Sequence, residues 1–138
     1  MAERALERIL AVDDDPLIGA AASLALESGG GYLVEPCESG YAAIDIARRF
    51  RPDLVPIDVM IPDLDGPSTL AAFRRIDDLA GLPFVFMTGR TRPHDLARYR
   101  SLGARAVIAK PFDPAELARR VGAIWARCRA PDHRGGRA

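Results

Sequence analysis

Five residues at four places in the chain have the types and settings to do chemistry together: Asp13 with Asp14, Asp58, Thr88 and Lys110. Each ends or follows a short apolar run. Asp58 stands among Val, Ile and Met, where an unpartnered carboxylate costs roughly several kcal/mol. It is either satisfied by neighbouring backbone amides or put to use. Three carboxylates drawn together repel unless a hard cation sits among them. Oxygen donors without a His or Cys cluster favour Mg²⁺ over zinc. With a metal and Lys110 neutralising a phosphoryl group, Asp58 could act as nucleophile and become an aspartyl phosphate. Thr88 could then donate its hydroxyl hydrogen to a phosphoryl oxygen.

Lys110 stands out for another reason, being the single lysine beside 18 arginines. A compact ammonium is wanted there if the choice is not a compositional accident. The remaining composition is that of an ordinary soluble globular protein: 138 residues, 49% hydrophobic and 28% charged, enough for one domain with a sizeable core. Lys plus Arg and Asp plus Glu each total 19, so net charge gives no reason to expect nucleic acid or membrane as partner. No apolar stretch approaches the ~20 residues of a membrane span, and Met1 to Arg4 does not open a signal peptide, so a cytoplasmic protein is expected. Cys37 and Cys128 lack metal-ligand spacing and read as buried free thiols.

The elements that must position these groups alternate. Ile9 to Val12 reads as a buried strand delivering Asp13, Asp14 and Asp15. Asp15 caps a helix opened by Pro16, with Ile18, Ala21, Ala22 and Ala25 as its apolar stripe and Gly29 to Gly31 as its stop. Tyr32 to Cys37 is a second strand whose Pro36 suits an edge. Ser39 caps a helix with Ala43, Ile44, Ala47 and Phe50 on one side, ended by Pro52. The Asp58 strand follows, and a third helix opens at Gly66-Pro67 with Leu70 and Phe73 inward and Arg74, Arg75, Asp77 and Asp78 as solvated charges. Pro83 to Met87 is a strand ending at Thr88. Pro93 starts a polar helix with Leu96, Tyr99 and Leu102, stopped by Gly103. Ala104 to Ala109 is a fifth strand running into Lys110. Asp113 to Glu116 is a capping-box variant opening a last helix spaced by Leu117, Val121, Ile124 and Cys128. Five strands alternating with five helices predict an α/β, doubly wound parallel sheet with helices on both faces and a site outside the carboxyl ends of the strands. Residues 1–129 make this domain, and 130–138 read as a disordered tail.

Val12 to Pro16, Ile57 to Gly66, Met87 to Gly89 and Lys110 to Phe112 together resemble the receiver domain of two-component response regulators, from about Arg8 to about Arg127. The resemblance implies a flavodoxin-like receiver fold with strand order 2-1-3-4-5. It also implies that Asp13, Asp14, Asp58 and the carbonyl of Met60 hold Mg²⁺. Asp58 would accept phosphate from a histidine kinase or histidine phosphotransfer protein, with Thr88 and Lys110 as switch hydroxyl and phosphate-binding lysine. Such a chain would be a single-domain regulator with output by protein–protein interaction and no enzymatic turnover of its own. Two positions depart from the family. Val107 replaces the aromatic residue three before the lysine, so the surface of the fourth helix, fifth strand and fifth helix is expected to change little on phosphorylation. Partners would recognise the helix-one face or the phosphorylated loops. Pro56 removes a ladder donor from an interior strand.

Two other classes compete. A metal-dependent phosphatase or phosphotransferase would use Asp13 as nucleophile and Asp15 as acid, whereas an adaptor would keep the fold and bind partners without phosphorylation. Asp63 and Asp65 read as turn formers. His94 reads as surface, and His133 falls in the tail. Arg119, Arg120, Arg127 and Arg129 read as a solvated face rather than a nucleic-acid patch. Trp125 reads as packing.

Overall fold

In the computed structural model, which describes residues 4–129, ten elements alternate without exception. They are β1 (Arg8–Val12), α1 (Pro16–Gly30), β2 (Leu33–Cys37), α2 (Gly40–Phe50), β3 (Val55–Asp58), α3 (Gly66–Arg74), β4 (Phe84–Thr88), α4 (Pro93–Ser101), β5 (Ala106–Ala109) and α5 (Pro114–Arg129). The expected tail, 130–138, lies outside the described residues, as do His133 and the Arg129 side chain. The strands form one parallel sheet in the order β2-β1-β3-β4-β5. The order reverses direction between β1 and β3, and the crevice of such sheets opens there.

Strand alternation divides the core in two. Leu10, Val55, Ile57, Phe84 and Phe86 face one side and pack with Ala43 and Ala47 of α2, Phe73 of α3 and Tyr99 of α4. Ile9, Val85, Met87 and Ile108 face the other, against Ala22 and Leu26 of α1 and Leu117, Val121 and Ile124 of α5. Phe73 meets Phe84, and Phe86 meets Tyr99, edge to face with centroids 5.0 and 5.5 Å apart.

Helix starts follow their capping residues. The Asp15 carboxylate accepts from Leu17 and Ile18 N–H, the Ser39 hydroxyl from Ala42 N–H and the Asp65 carboxylate from Ser68 N–H. The Asp113 carboxylate accepts from Ala115 N–H. The stripe of α1 is rotated one position from expectation. Ala22, Ala25 and Leu26 are buried while Ala21 is exposed, the i, i+3, i+4 phase of a face packed with Leu117 and Val121 of α5 and Ile9 of β1. Cys37 is buried, but Cys128 is only half-buried at the rim of the core. Arg74 is not a solvated charge. It is half-buried, its Nη1 donates to the carbonyls of Ala80 and Leu82 at 2.9 Å each, and the guanidinium lies 5.8 Å from the centre of the Phe84 ring. Those two bonds close the turn after α3.

Pro56 is buried in the third strand of five, and its effect on the ladder is local. Val55 and Val59 direct their N–H groups to Pro83 and Met87 on the β4 side, so position 56 faces β1 and has no hydrogen to give. Pairing with β1 is accordingly reduced to Val12 with Ile57 and an isolated bridge between Ile9 and Leu54. Pairing with β4 runs unbroken from Val55 to Asp58. On the far side of the sheet Pro36 sits in the edge strand, where a missing donor costs nothing.

Candidate functional site

The carboxyl ends of β1, β3, β4 and β5 deliver the residues singled out from sequence to one place. Asp13 leaves β1 with its N–H bonded to Cys37 O. Its Oδ1 accepts from Asp15 N–H at 2.9 Å, which turns the chain and leaves Oδ2 pointing inward. Asp58 is the last residue of β3, 8% exposed, and its Oδ1 accepts from Met60 N–H at 3.2 Å. Carboxylate oxygens of Asp13, Asp14 and Asp58 all lie within 4.8 Å of one another, Asp14 being the exposed member.

Lys110 reaches this cluster from the end of β5. Its Nζ stands 3.0 Å from Asp13 Oδ2 and 3.4 Å from Asp58 Oδ2. A cis peptide bond joins it to Pro111, and its N–H bonds to Thr88 O at 2.9 Å. Thr88, 3% exposed, ends β4, and its Oγ1 accepts from Arg90 N–H at 3.0 Å. That bond occupies a lone pair and leaves the hydroxyl hydrogen to be donated.

The charges are not balanced. Burial pushes the Asp58 carboxyl up from its ordinary range, the Met60 N–H and Lys110 pull it down, and Asp13 pushes it up again. Burial would lower the Lys110 ammonium, but its bond to Asp13 and the charges of Asp13 and Asp58 more than reverse this and hold it above its usual value. One ammonium thus stands between two carboxylates, with that of Asp14 alongside. An all-oxygen donor set with surplus negative charge at one open corner fits a hard divalent cation.

The loop after Asp58 is held on three sides. Gly66 N–H bonds to Val59 O at 2.9 Å, and a Cβ at Gly66 would lie 2.9 Å from Asp58 O, so only glycine closes the loop this tightly. The Thr69 hydroxyl donates to Leu64 O and Asp65 O. Asp63 is more than a turn former: it accepts from Ser39 Oγ at 2.5 Å and from the N–H groups of Gly40 and Tyr41, tying the loop to the start of α2. The Ser39 bond, with those backbone donors, lowers its carboxyl to about 2.

Residues proposed for other roles fall elsewhere. The Asp15 carboxylate is engaged as the α1 cap, and Asp13 Oδ2 stands 3.0 Å from Lys110 Nζ. His94 is exposed beside Asp95. Trp125 is packed in the core, with its Nε1 donating to Arg4 O. Asp53, just before β3, carries no motif in the sequence. It is 3% exposed and accepts from Arg4 Nη2 at 2.7 Å and from the N–H groups of Glu7 and Arg8 at 3.0 and 2.9 Å. Only an aspartate after Pro52 marks it, with partners more than forty positions upstream.

The family model described as the response regulator receiver domain matches residues 9–122, most of the chain and all of the strand ends just described. The chain belongs to the response regulator receiver family. It is similar to the transcriptional regulatory protein CseB of Streptomyces avermitilis, 36% identical over 86% of this chain and 49% of that protein. It is also similar to the DNA-binding dual master transcriptional regulator RpaA of Synechocystis, 34% identical over 88% of this chain and 50% of that protein. The chain therefore spans about half the length of these curated relatives. Among solved structures it resembles the chemotaxis response regulator CheY4 of Vibrio cholerae, with TM-score 0.80 and 28% identity, covering 87% of this chain and 99% of that one. The receiver fold and its strand order are thus as expected. No described helix is long and apolar enough to cross a membrane.

Proposed function

We propose that this receiver accepts one phosphoryl group on Asp58 from a histidine kinase or a histidine phosphotransfer protein, in a Mg²⁺-dependent reaction. The observation that carries this is Lys110 Nζ placed between Asp13 and Asp58 at 3.0 and 3.4 Å, beside a third carboxylate. Asp13, Asp14, Asp58 and the Met60 carbonyl would hold the cation, which when bound offsets charge on the phosphoryl oxygens. An Asp58 oxygen attacks phosphorus as the phosphorus–nitrogen bond to the donor histidine breaks, and the electron pair leaves on the imidazole nitrogen, which takes up a proton. Lys110 stays protonated throughout and turns from Asp58 toward a phosphoryl oxygen. Thr88 supplies the hydroxyl hydrogen to another.

An apolar cleft of about 490 Å³ lined by Leu17, Ile18, Ala21 and Phe112 shares Lys110 with the carboxylate cluster and offers the donor protein a seat beside it. Leu17 is 81% exposed there, which favours a protein donor surface over a small ester. One group is taken per chain, so the protein acts as an acceptor and not as a turnover enzyme, working in the cytoplasm where such kinases have their catalytic parts. CseB and RpaA are described as transcriptional regulators, and this chain spans about half of each; for the receiver itself we assign output to protein contact. Incubation with acetyl phosphate and Mg²⁺ tests the chemistry: intact-mass spectrometry should show one added phosphoryl group, lost in Asp58→Asn and without Mg²⁺. Steady hydrolysis of p-nitrophenyl phosphate that survives Asp58→Asn would point instead to the phosphatase.

A further inference from the structure

The connection from β2 to α2 supplies no carboxylate to the cluster, yet it is bonded on both sides of it. On one side Cys37 O accepts from Asp13 N–H at 2.9 Å, and Cys37 Sγ donates in turn to Ser39 O at 3.1 Å. On the other, Ser39 Oγ donates to Asp63 Oδ2 at 2.5 Å, and the N–H groups of Gly40 and Tyr41 reach the same carboxylate at 3.2 and 3.3 Å. These bonds join the residue that follows β1 to the loop that follows β3. Gly40 brings the first turn of α2 directly against that loop, since a Cβ there would run into Leu64 O.

Helix α2 has a cap of its own, because Ser39 Oγ accepts from Ala42 N–H at 3.1 Å. The carboxylate that fills its next two donors is borrowed from the loop after Asp58, 59–65. The other side-chain bonds of that loop run to α3: Asp65 accepts from Ser68 N–H, and Thr69 donates to Leu64 O and Asp65 O. Among the described residues, Asp63 is the one side chain of the loop that hydrogen-bonds to any element other than α3. Met60 lies in the same loop and is exposed, with no packing of its own to fix it. We infer that Ser39 and Asp63 are positioning residues for the cation, fixing loop 59–65 against α2 so that Met60 is held in place relative to Asp13 and Asp14. The inference rests on the acceptor reading above, in which the Met60 carbonyl is a ligand. A donor on a loop already ordered binds more tightly than one that must be ordered when the ion arrives. Cutting the tie therefore weakens the ion without removing any ligand.

The test is calorimetry of Mg²⁺ on the full chain, with no phosphoryl donor present. Ser39→Ala changes no charge and should weaken Mg²⁺ binding by about threefold or more. Ser39→Thr, which keeps the hydroxyl, should bind as the parent does. In an Asp63→Ala background Ser39→Ala should cost nothing further, since its partner is already gone. Labelling by acetyl phosphate should follow the same split, with a higher half-saturating Mg²⁺ concentration in Ser39→Ala and the parental rate at saturation. A pair that only caps α2 would lower stability in urea and leave the Mg²⁺ dissociation constant where it was. The inference is overturned if Ser39→Ala binds Mg²⁺ as tightly as the parent, if Ser39→Thr binds as weakly as Ser39→Ala, or if Ser39→Ala costs as much without Asp63 as with it. A parent that binds no Mg²⁺ overturns the acceptor reading and this inference together. A parent that binds Mg²⁺ and shows these differences, but takes no phosphoryl group, overturns the acceptor reading and upholds the positioning.

Discussion

Asp53 lies just before β3 and Asp58 ends it, 3% and 8% exposed, and they have opposite fates. Asp53 is enclosed by donors: a guanidinium on one oxygen and two backbone N–H groups on the other. Asp58 has one backbone N–H and a lysine it shares with Asp13, with a third carboxylate alongside. The amino end of the sheet uses its aspartate to tie the N-terminal segment to the β3 entrance. The carboxyl end leaves its aspartate short of positive charge. A buried acid is a structural part where its lone pairs are filled and a reactive one where they are not.

The largest expected effect of breaking this contrast falls on chemistry. Asp58→Asn should abolish labelling by acetyl phosphate, and Asp58→Glu should do the same because the longer side chain displaces the carboxylate. Asp53→Asn should label at the parental rate. Lys110→Arg keeps the charge but replaces a point ammonium with a planar fork, and should slow labelling on the order of tenfold or more, read by quenched time points. Asp14→Ala should weaken Mg²⁺ binding in calorimetry on the order of tenfold, because a charged oxygen donor is lost.

Effects on stability are smaller and opposite at the two ends. Asp53→Asn presents an amide to a donor and unpairs Arg4, so urea unfolding should show a loss of roughly 1–3 kcal/mol. Asp58→Asn should raise the melting temperature of the metal-free protein at neutral pH. Because the folded carboxyl titrates above its unfolded value, the wild type loses stability as pH rises through that interval. The difference between variant and parent should therefore vanish in acid. Equal melting temperatures at neutral pH would mean that Asp58 is as well satisfied as Asp53. The smallest effect concerns Asp63, whose contribution should persist above the ordinary carboxylate range and disappear as pH falls toward about 2, seen as a carboxyl carbon titration by NMR.

The cluster at the carboxyl end was legible in the sequence because its information is local. Each of its residues sits at or just after the end of an apolar run, and the alternation of strands and helices brings those ends together. Pro36 and Pro56 likewise announced an edge and a gap in the ladder, because a missing N–H is a property of one residue. The amino end was not legible, nor was the tie that holds the loop beyond Asp58. Asp53 depends on Arg4, Glu7 and Arg8, and Asp63 on Ser39, and no spacing rule connects residues so far apart that meet only after the sheet has formed. Arg74 misled for a similar reason: helical periodicity put it outside, while the carbonyls that hold it belong to the turn that follows.

The contrast between the two aspartates is tested most directly by mapping the label. The wild-type chain is treated with acetyl phosphate and Mg²⁺, the acyl phosphate is trapped by borohydride reduction, and the peptides are sequenced by mass spectrometry. The modification should lie on Asp58, with Asp13, Asp14 and Asp53 unmodified. Labelling centred on Asp13 or Asp53, with Asp58 intact, would contradict the assignment of the unbalanced carboxylate as the acceptor.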